Sequence, residues 1–400
     1  MEPIETVYHS NFKRGAYSFY QSIRHQDPIF PMSKQYNHTS WLITRYDDVK
    51  ELLKSQSFIK DQSKLFSPAE REKNPNDMEI NIFQHMMLDV DPPDHTRLRR
   101  LVQPFFNPKS IRAMEPRIQT VADTLIEEMR HKDGPLDLID DFAFPLPIIV
   151  ISELLGVPAE DRNSFRQWSN TIVAAADEFE ESFIEDVQAF STYLTKLFEE
   201  RRNNPQDDLI SKLLQAEEEG EKLHTQELYS MVVLLIIAGH ETTVNLIANT
   251  MYALFQHPDQ LKQLKEDHSF IESAIEEGLR FYSPVDFSTA RWAGEDMSFR
   301  GKEIKRGDFV VASLSSANRD EAKFEAADTF DITRKDNQHL AFGLGIHFCL
   351  GAPLARLEGK IALQTLFTAF PYIHLAPSAQ PKWKEIFLLR GLEKLEVELT

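Results

Sequence analysis

Phe342-Gly343-Leu344-Gly345-Ile346-His347-Phe348-Cys349-Leu350-Gly351 holds the only cysteine of a 400-residue chain. A single thiol forms no internal disulfide and builds no all-cysteine zinc site. Three roles remain for Cys349: a small buried hydrophobe, a nucleophile, or the one thiolate ligand of a metal. The glycines favour the third. They let the backbone turn tightly around the sulfur and aim N–H groups at it, which keeps a thiolate anionic. Leu350 to Phe370 reads as a helix, with Pro353 tolerated in its first turn. Cys349 therefore sits near helix N-terminal N–H groups, which lower a thiol pKa. A nucleophile would need a His base and an orienting partner. His347 is two residues away, but its ring need not face the sulfur, and no local hydrolase signature surrounds it.

The composition narrows the setting. The net charge of −19 argues against nucleic acid as a partner. With 42% hydrophobic residues and 28 phenylalanines the chain can enclose a roomy apolar interior. Met1 to Val7 is neither basic nor apolar and reads as neither a signal peptide nor an anchor. The longest apolar stretch, Met231 to Ala238, is short of the roughly 18 residues of a membrane span. A cytoplasmic protein without a membrane partner is expected, and one cysteine suits a reducing compartment. No repeat or Pro/Gly/Ser-rich linker divides the chain, so residues 1–400 read as one domain.

The periodicities predict a mainly α protein with small β-sheets. Ser40 to Thr44 reads as a strand and Asp47 to Ser55 as a short helix. Residues 61–92 read as an irregular lid or binding loop. Helices are expected over Pro93–Phe106, Pro116–His131, Asp161–Ala176, Glu181–Arg202, Pro258–Glu266 and Phe270–Tyr282. Thr225 to Phe255 reads as one long helix, about 46 Å at 1.5 Å per residue. It is apolar all round in its middle, hence a core helix. Its start, Thr225-Gln226-Glu227-Leu228, is a capping box spoiled by Leu228. Residues 285–313 alternate like strands, and Ile386 to Leu399 suggests a hairpin around Arg390-Gly391.

Three constellations accompany the Cys349 loop. Ala238-Gly239-His240-Glu241-Thr242-Thr243 places a carboxylate and two hydroxyls in the middle of the core helix. A buried carboxylate is costly unless paired or used. The bland reading is a kink, with Thr bonding the preceding turn; the functional one is a proton relay through Glu241 and Thr242. A zinc-protease reading of His240-Glu241 fails because residue 244 is Val244. Glu277 and Arg280, at i, i+3, can pair on one helix face, as most surface pairs do without consequence. Within Asp91 to Arg100, His95 and Arg99 share a face at i, i+4. They would suit an anion if that face points inward, and are a solvated basic patch if it does not.

Together these segments resemble one family, the cytochrome P450 monooxygenases of the soluble bacterial type, from about residue 30 to the end. Among its members the likeness is to those that oxidise macrolide and other polyketide metabolites. Phe342-Gly343-x-Gly345-x-His347-x-Cys349-x-Gly351 matches the family's haem-binding loop at every key position. Ala238-Gly239-x-Glu241-Thr242-Thr243 matches its oxygen-activation motif. Glu277-x-x-Arg280 matches its helix pair, with Arg334 in the place of the downstream arginine that locks it. The resemblance implies haem b between the long central helix and the Cys-loop helix, with Cys349 on the iron. It implies that His95, Arg99, Arg291 and His347 hold the haem carboxylates, that Phe342 packs on the sulfur side, and that Glu241 and Thr242 deliver protons.

The resemblance also implies an apolar substrate, with contacts from Met86, Ile236, Ala238, Val285, Phe287 and Phe387. No dinucleotide fingerprint or flavin domain is legible, so neither flavin nor NAD(P) is expected here. A separate ferredoxin or flavodoxin with its reductase is implied. Arg97, Arg100, Lys109, Arg112, Arg356 and Lys360 form a basic docking patch for that acidic donor, and a monomer is expected. Two rivals stand beside this reading. A hydrogen peroxide-driven peroxygenase would tend to lack the Glu241-Thr242 pair. A non-catalytic haem sensor would need no proton relay.

Overall fold

Thr225–Gln256 is a single helix of 32 residues, about 48 Å long. An all-round apolar helix of this length is stable only with partners on every side. By length and composition it could cross a membrane, yet 78% of its most apolar window is buried by the rest of the chain. It is the axis of the core. The computed structural model describes residues 12–35, 38–67, 83, 85–161, 164, 165, 167, 168, 171, 172, 182–218 and 223–399. The expectations for Met1 to Val7, for most of Asp161–Ala176 and for residues 68–82 lie outside these.

In chain order the elements are α1 (Phe12–Gln26), β1 (Ile29–Gln35), β2 (His38–Ile43), α2 (Tyr46–Lys54) and β3 (Phe58–Ile59). Then come α3 (Asp94–Val102), α4 (Pro108–Arg130), β4 (Leu136–Asp137), α5 (Pro145–Leu155), α6 (Ser182–Asn203) and α7 (Leu209–Glu218). The long helix is α8, followed by α9 (Pro258–Glu266), α10 (Ile271–Phe281), β5 (Arg291–Ala293), β6 (Met297–Phe299), β7 (Lys302–Ile304) and β8 (Phe309–Ala312). The short α11 (Leu314–Ala317), α12 (Ala352–Ala369), β9 (His374–Leu375) and β10 (Glu396–Glu398) complete the set. Helix α8 packs against α5, α7, α9, α10 and α12, and α12 against α4. The main sheet has the order β1-β2-β8-β5-β3, with β2 and β8 parallel and its other pairs antiparallel. The expected fold class, mainly α with small sheets, is what the chain adopts.

Several boundaries differ from expectation for identifiable reasons. Helix α4 begins at Pro108 and runs through Pro116, which had read as a start. The Asn107 side chain accepts the Lys109 and Ser110 N–H groups, a strong N-cap that makes Pro108 the natural first residue. Pro116 then costs only one internal hydrogen bond in a long helix. Helix α3 stops at Val102, and Gln103–Phe106 tightens into a 3₁₀ turn that contains Pro104. Helix α8 does have its capping carboxylate, one residue out of the expected register. His224 is the cap, and Glu227 accepts its N–H at 2.9 Å. Glu227 also receives the Arg97 guanidinium, which ties α3 to the start of α8. Helices α5 and α7 were not foreseen; α5 is apolar on nearly every side and gives no helical stripe. In the tail, Lys384 N–H bonds Gly391 O and Glu393 N–H bonds Lys382 O. The hairpin therefore turns at residues 385–390, while β10 pairs with β4 and β9 instead.

Candidate functional site

The Cys349 loop is built on two left-handed glycines, Gly343 at φ +67° and Gly345 at φ +80°. At Gly345 a Cβ would lie 2.7 Å from the Leu53 carbonyl oxygen, so only glycine lets the loop lie on the end of α2. Cys349 N–H closes the loop on Phe342 O at 2.9 Å. The sulfur then meets the first N–H groups of the α12 turn, those of Gly351 and Ala352. Burial pushes the thiol pKa up, and those two N–H groups with the Arg99 and Arg356 guanidinium groups oppose it. The residue keeps some accessible surface. Phe342 carries the Arg356 guanidinium over its ring at 4.5 Å.

A basic cluster lies beside this loop. The rings of His95 and His347 are 4.2 Å apart. Arg99 donates to Phe348 O at 2.8 Å, and Arg291 to Phe58 O at 3.2 Å. Burial, aided by His95, Lys60, Arg291 and Arg99, pushes the His347 pKa down to about 2. His347 Nε2 and Arg291 Nε are buried and have no hydrogen-bond partner. Lys60, absent from the sequence reading, is a buried member of the cluster. Its ammonium donates to Thr289 Oγ1 at 2.6 Å and Ala290 O at 2.8 Å, and burial lowers its pKa to about 7. Nothing in the local sequence marks that lysine as buried. His95 is buried, and Arg99 is half-buried, so the pair is not a wholly solvated patch.

On α8, the turns flanking the motif are buried, yet Ala238 is exposed and Thr242 half-buried. In the middle of a core helix, that leaves a turn which the described residues do not cover. Thr242 Oγ1 donates to Ala238 O at 3.0 Å. Glu241 points elsewhere: it is buried, and its Oε1 receives Lys384 Nζ at 2.9 Å. Lys384 was also missed, since 143 residues separate the partners. His240 is a satisfied core histidine, with Nδ1 2.8 Å from Ile236 O and Phe144 edge-on to its ring. Thr243 faces the opposite way, toward the buried Glu358 of α12.

Glu277 and Arg280 are not a surface pair. Both are fully buried, with Arg280 Nε and Nη2 donating to the two carboxylate oxygens at 2.8 and 2.7 Å. Arg280 also donates to Asn318 O, Ala327 O and Thr329 O. Arg334 reaches Glu277 at 3.2 Å, joined by Asp331 N–H and Asn337 Nδ2. The network fastens α10 to the chain that leads into the Cys349 loop.

The six residues expected to touch substrate do not share one environment. Ala238 is exposed, and Val285 and Phe387 are half-buried. Ile236 and Phe287 are 1% and 0% exposed, and Met86 is 8%. Phe287 stacks on Phe387 at 4.4 Å and meets the Tyr20 ring edge-on, so it serves packing against α1. The basic patch is also thinner than the sequence suggests. Arg97, Arg356 and Lys360 are spent on Glu227, Glu276 and Glu272. Arg100, Lys109 and Arg112 remain exposed.

The arrangement is that of a single cysteine at a helix N-terminus, flanked by cations and facing a helix turn with accessible surface. The cytochrome P450 family model matches residues 8–391. A cytochrome P450 of Bacillus subtilis (strain 168) is 49% identical over 389 residues, 96% of this chain and 94% of that protein. The polyketide biosynthesis cytochrome P450 PksS of the same organism is 43% identical over 393 residues, with 97% of each covered. The solved myxobacterial cytochrome P450 CYP267B1, in complex with myristic acid, matches at a TM-score of 0.90 and 42% identity, covering 99% of both chains. The chain belongs to the cytochrome P450 family of monooxygenases.

The family implies a haem iron cofactor. The residues present fit it. Unpartnered nitrogens on His347 and Arg291 sit in a cluster rich in cations, suited to a pair of carboxylates. Cys349 keeps some accessible surface while N–H groups converge on its sulfur, and α8 is exposed at Ala238.

Proposed function

We propose that residues 1–400 form one haem domain that inserts one atom of dioxygen into a lipophilic small molecule of the polyketide, macrolide or fatty acid kind. The observation that carries the reading is the Cys349 sulfur, met by two helix N–H groups beside a cation cluster with unfilled hydrogen-bonding positions. Bound haem would supply the oxygen chemistry, which a thiolate ligand tilts toward O–O cleavage. Cys349 would hold the iron, with Gly351 N–H, Ala352 N–H, Arg99 and Arg356 keeping the sulfur anionic. His95, Arg99, Arg291 and His347 would bind the carboxylates, and Phe342 would pack on the sulfur side. Glu241 would bring protons in from solvent. Thr242, whose hydroxyl proton is engaged by Ala238 O, would pass them on at the uncovered turn.

The substrate class rests on two supports. PksS is named for polyketide biosynthesis and CYP267B1 holds myristic acid. The accessible side chains Ala238, Val285 and Phe387 are apolar. The electrons would come from a separate ferredoxin or flavodoxin and its reductase, with the exposed Arg100, Lys109 and Arg112 as the cations left to meet an acidic donor. We read the protein as a cytoplasmic monomer. The Glu241-Thr242 pair speaks against a peroxygenase, since peroxide users of the family tend to lack it, and against a haem sensor, which needs no proton relay.

The test is spectroscopic. Reduced, carbon monoxide-bound holoprotein should absorb at the red-shifted Soret position of thiolate-ligated haem, and Cys349→His should lose that band. A histidine-type spectrum from the unsubstituted protein would refute the assignment. Screening lipophilic ligands for conversion of the ferric protein to high spin would then narrow the substrate.

A further inference from the structure

Glu241 lies on α8 with Asn245 and Asn249, at i, i+4 and i+8, so the three side chains form one stripe. All three are buried. One segment near the C-terminus meets the whole stripe. Lys384 Nζ binds Glu241 Oε1 at 2.9 Å. Gly391 presses on Asn245, where a Cβ would lie 2.1 Å from Oδ1. Asn249 Nδ2 donates to Arg390 O at 2.9 Å. Lys384 and Gly391 are themselves joined, N–H to O, at 2.8 Å across the hairpin, with Trp383 bridged to Leu392. Two residues paired across one hairpin therefore read two successive turns of the core helix. The close approach of Gly391 fixes the height at which Lys384 meets Glu241.

The two ends of this ion pair differ. The Glu241 side chain is 5% exposed, whereas that of Lys384 is 31% exposed. The lysine thus links a carboxylate inside the core to the surface. A buried carboxylate with one cationic partner is held where that partner puts it, because moving away leaves the charge uncompensated. The turn of the same hairpin carries Phe387, stacked on Phe287.

We propose that Lys384 is a positioning residue for proton delivery. Its ammonium sets the orientation of the Glu241 carboxylate and links that carboxylate to the surface, and the Trp383–Leu392 hairpin holds the lysine in place. The inference rests on the reading of Glu241 as the group that handles protons. Removing the ammonium while keeping the stem, in Lys384→Met, leaves the carboxylate without its anchor. Lys384→Arg retains a cation and should restore it.

The test needs no identified substrate. Substrate-free holoenzyme, a surrogate ferredoxin and its reductase consume NADH and dioxygen. Two electrons and two protons per dioxygen release hydrogen peroxide; four electrons and four protons release two waters. The measurements are peroxide released per NADH consumed, and the solvent deuterium isotope effect on NADH consumption. Lys384→Met should change both, by about twofold or more in the peroxide fraction, and Lys384→Arg should return both toward the starting values. Glu241→Gln supplies the reference, and Lys384→Met/Glu241→Gln should be no worse than Glu241→Gln alone, since coupled residues are not additive. If Lys384→Met changes neither readout while Glu241→Gln changes both, the role of Lys384 falls and that of Glu241 stands. If Glu241→Gln itself changes neither, the reading of Glu241 falls first. Should Lys384→Met fail to load haem, Lys384→Gln takes its place in the same comparison.

Discussion

Glu358 gives the sharpest quantitative expectation. It lies on α12, fully inside the core, and among the described residues only the Thr243 hydroxyl is set against its carboxyl. Its neighbour Gly359 is pressed so closely on Ile275 and Leu246 that a Cβ would lie 2.9 Å from Ile275. Burial pushes the Glu358 pKa from 4.5 up to about 8, and the Thr243 hydroxyl only partly opposes it. The sign follows from proton counting. Between pH 4.5 and 8 the folded protein keeps a proton that the unfolded chain releases, so stability falls as pH rises. At about 1.4 kcal/mol per pH unit, the loss is roughly 1 kcal/mol by pH 5 and roughly 4 kcal/mol by pH 8.

Glu358→Gln keeps the shape and stays neutral throughout. Its stability relative to the unsubstituted protein should therefore grow by about 3 kcal/mol between pH 5 and pH 8. With an unfolding entropy near 2.1 cal/mol/K per residue, that is a gain of roughly 4 °C in the difference between melting temperatures. Melting followed by circular dichroism at pH 5, 6, 7 and 8, at one scan rate and protein concentration, measures it. Taking the difference cancels every other titrating group. A difference that stays constant with pH, or shrinks, would refute the claim that this carboxyl is held neutral.

Other expectations follow from single contacts. Arg280→Met leaves Glu277 buried with fewer partners and should cost about 3–5 kcal/mol, seen as a melting temperature lower by several degrees and as poor haem loading. Thr242→Ala should raise peroxide release per NADH while leaving the carbon monoxide spectrum unchanged; unchanged peroxide release would count against Thr242 in proton delivery. Gly345→Ala forces a Cβ to 2.7 Å from Leu53 O at φ +80°, so it should destabilise the Cys349 loop by about 1–3 kcal/mol and speed haem loss to apomyoglobin.

What the sequence disclosed and what it hid divide along one line. The Cys349 loop and the Glu241-Thr242 motif stood out because each lies within a few residues of chain and its residue types are unusual in that setting, whereas the His95/Arg99 pair stayed between two readings because i, i+4 spacing does not say which way a helix face points. Helix α8 was legible because an apolar run of that length has only one stable location. The start of α4 was hidden because two prolines compete for the first turn, and the Asn107 cap decides between them only once it folds. Lys60 and Lys384 were hidden for a deeper reason. A lysine is usually a solvated surface residue, and what makes these two different is made by residues far along the chain: Thr289 and Ala290 for one, Glu241 for the other. Phe287 shows the converse. Its apolar character suited a substrate wall, but Tyr20 and Phe387 claim both sides of the ring.

Three glutamates buried in one core show why partners, and not residue type, separate their roles. Glu277 is saturated: two guanidinium groups, a backbone N–H and an amide nitrogen occupy its oxygens, so it cannot move without breaking several contacts at once. That suits a fastening. Glu358 has no cation beside it, and burial resolves its charge by keeping the proton, so it offers nothing to exchange at neutral pH. Glu241 lies between these extremes, with one cation among the described residues, whose side chain reaches the surface. Releasing it breaks one ionic contact where releasing Glu277 would break several, and the partner is itself partly exposed, as the proposed proton delivery requires. Among the described contacts of the three, only those of the glutamate next to Thr242 combine burial, a single ionic partner and a partner that reaches the surface.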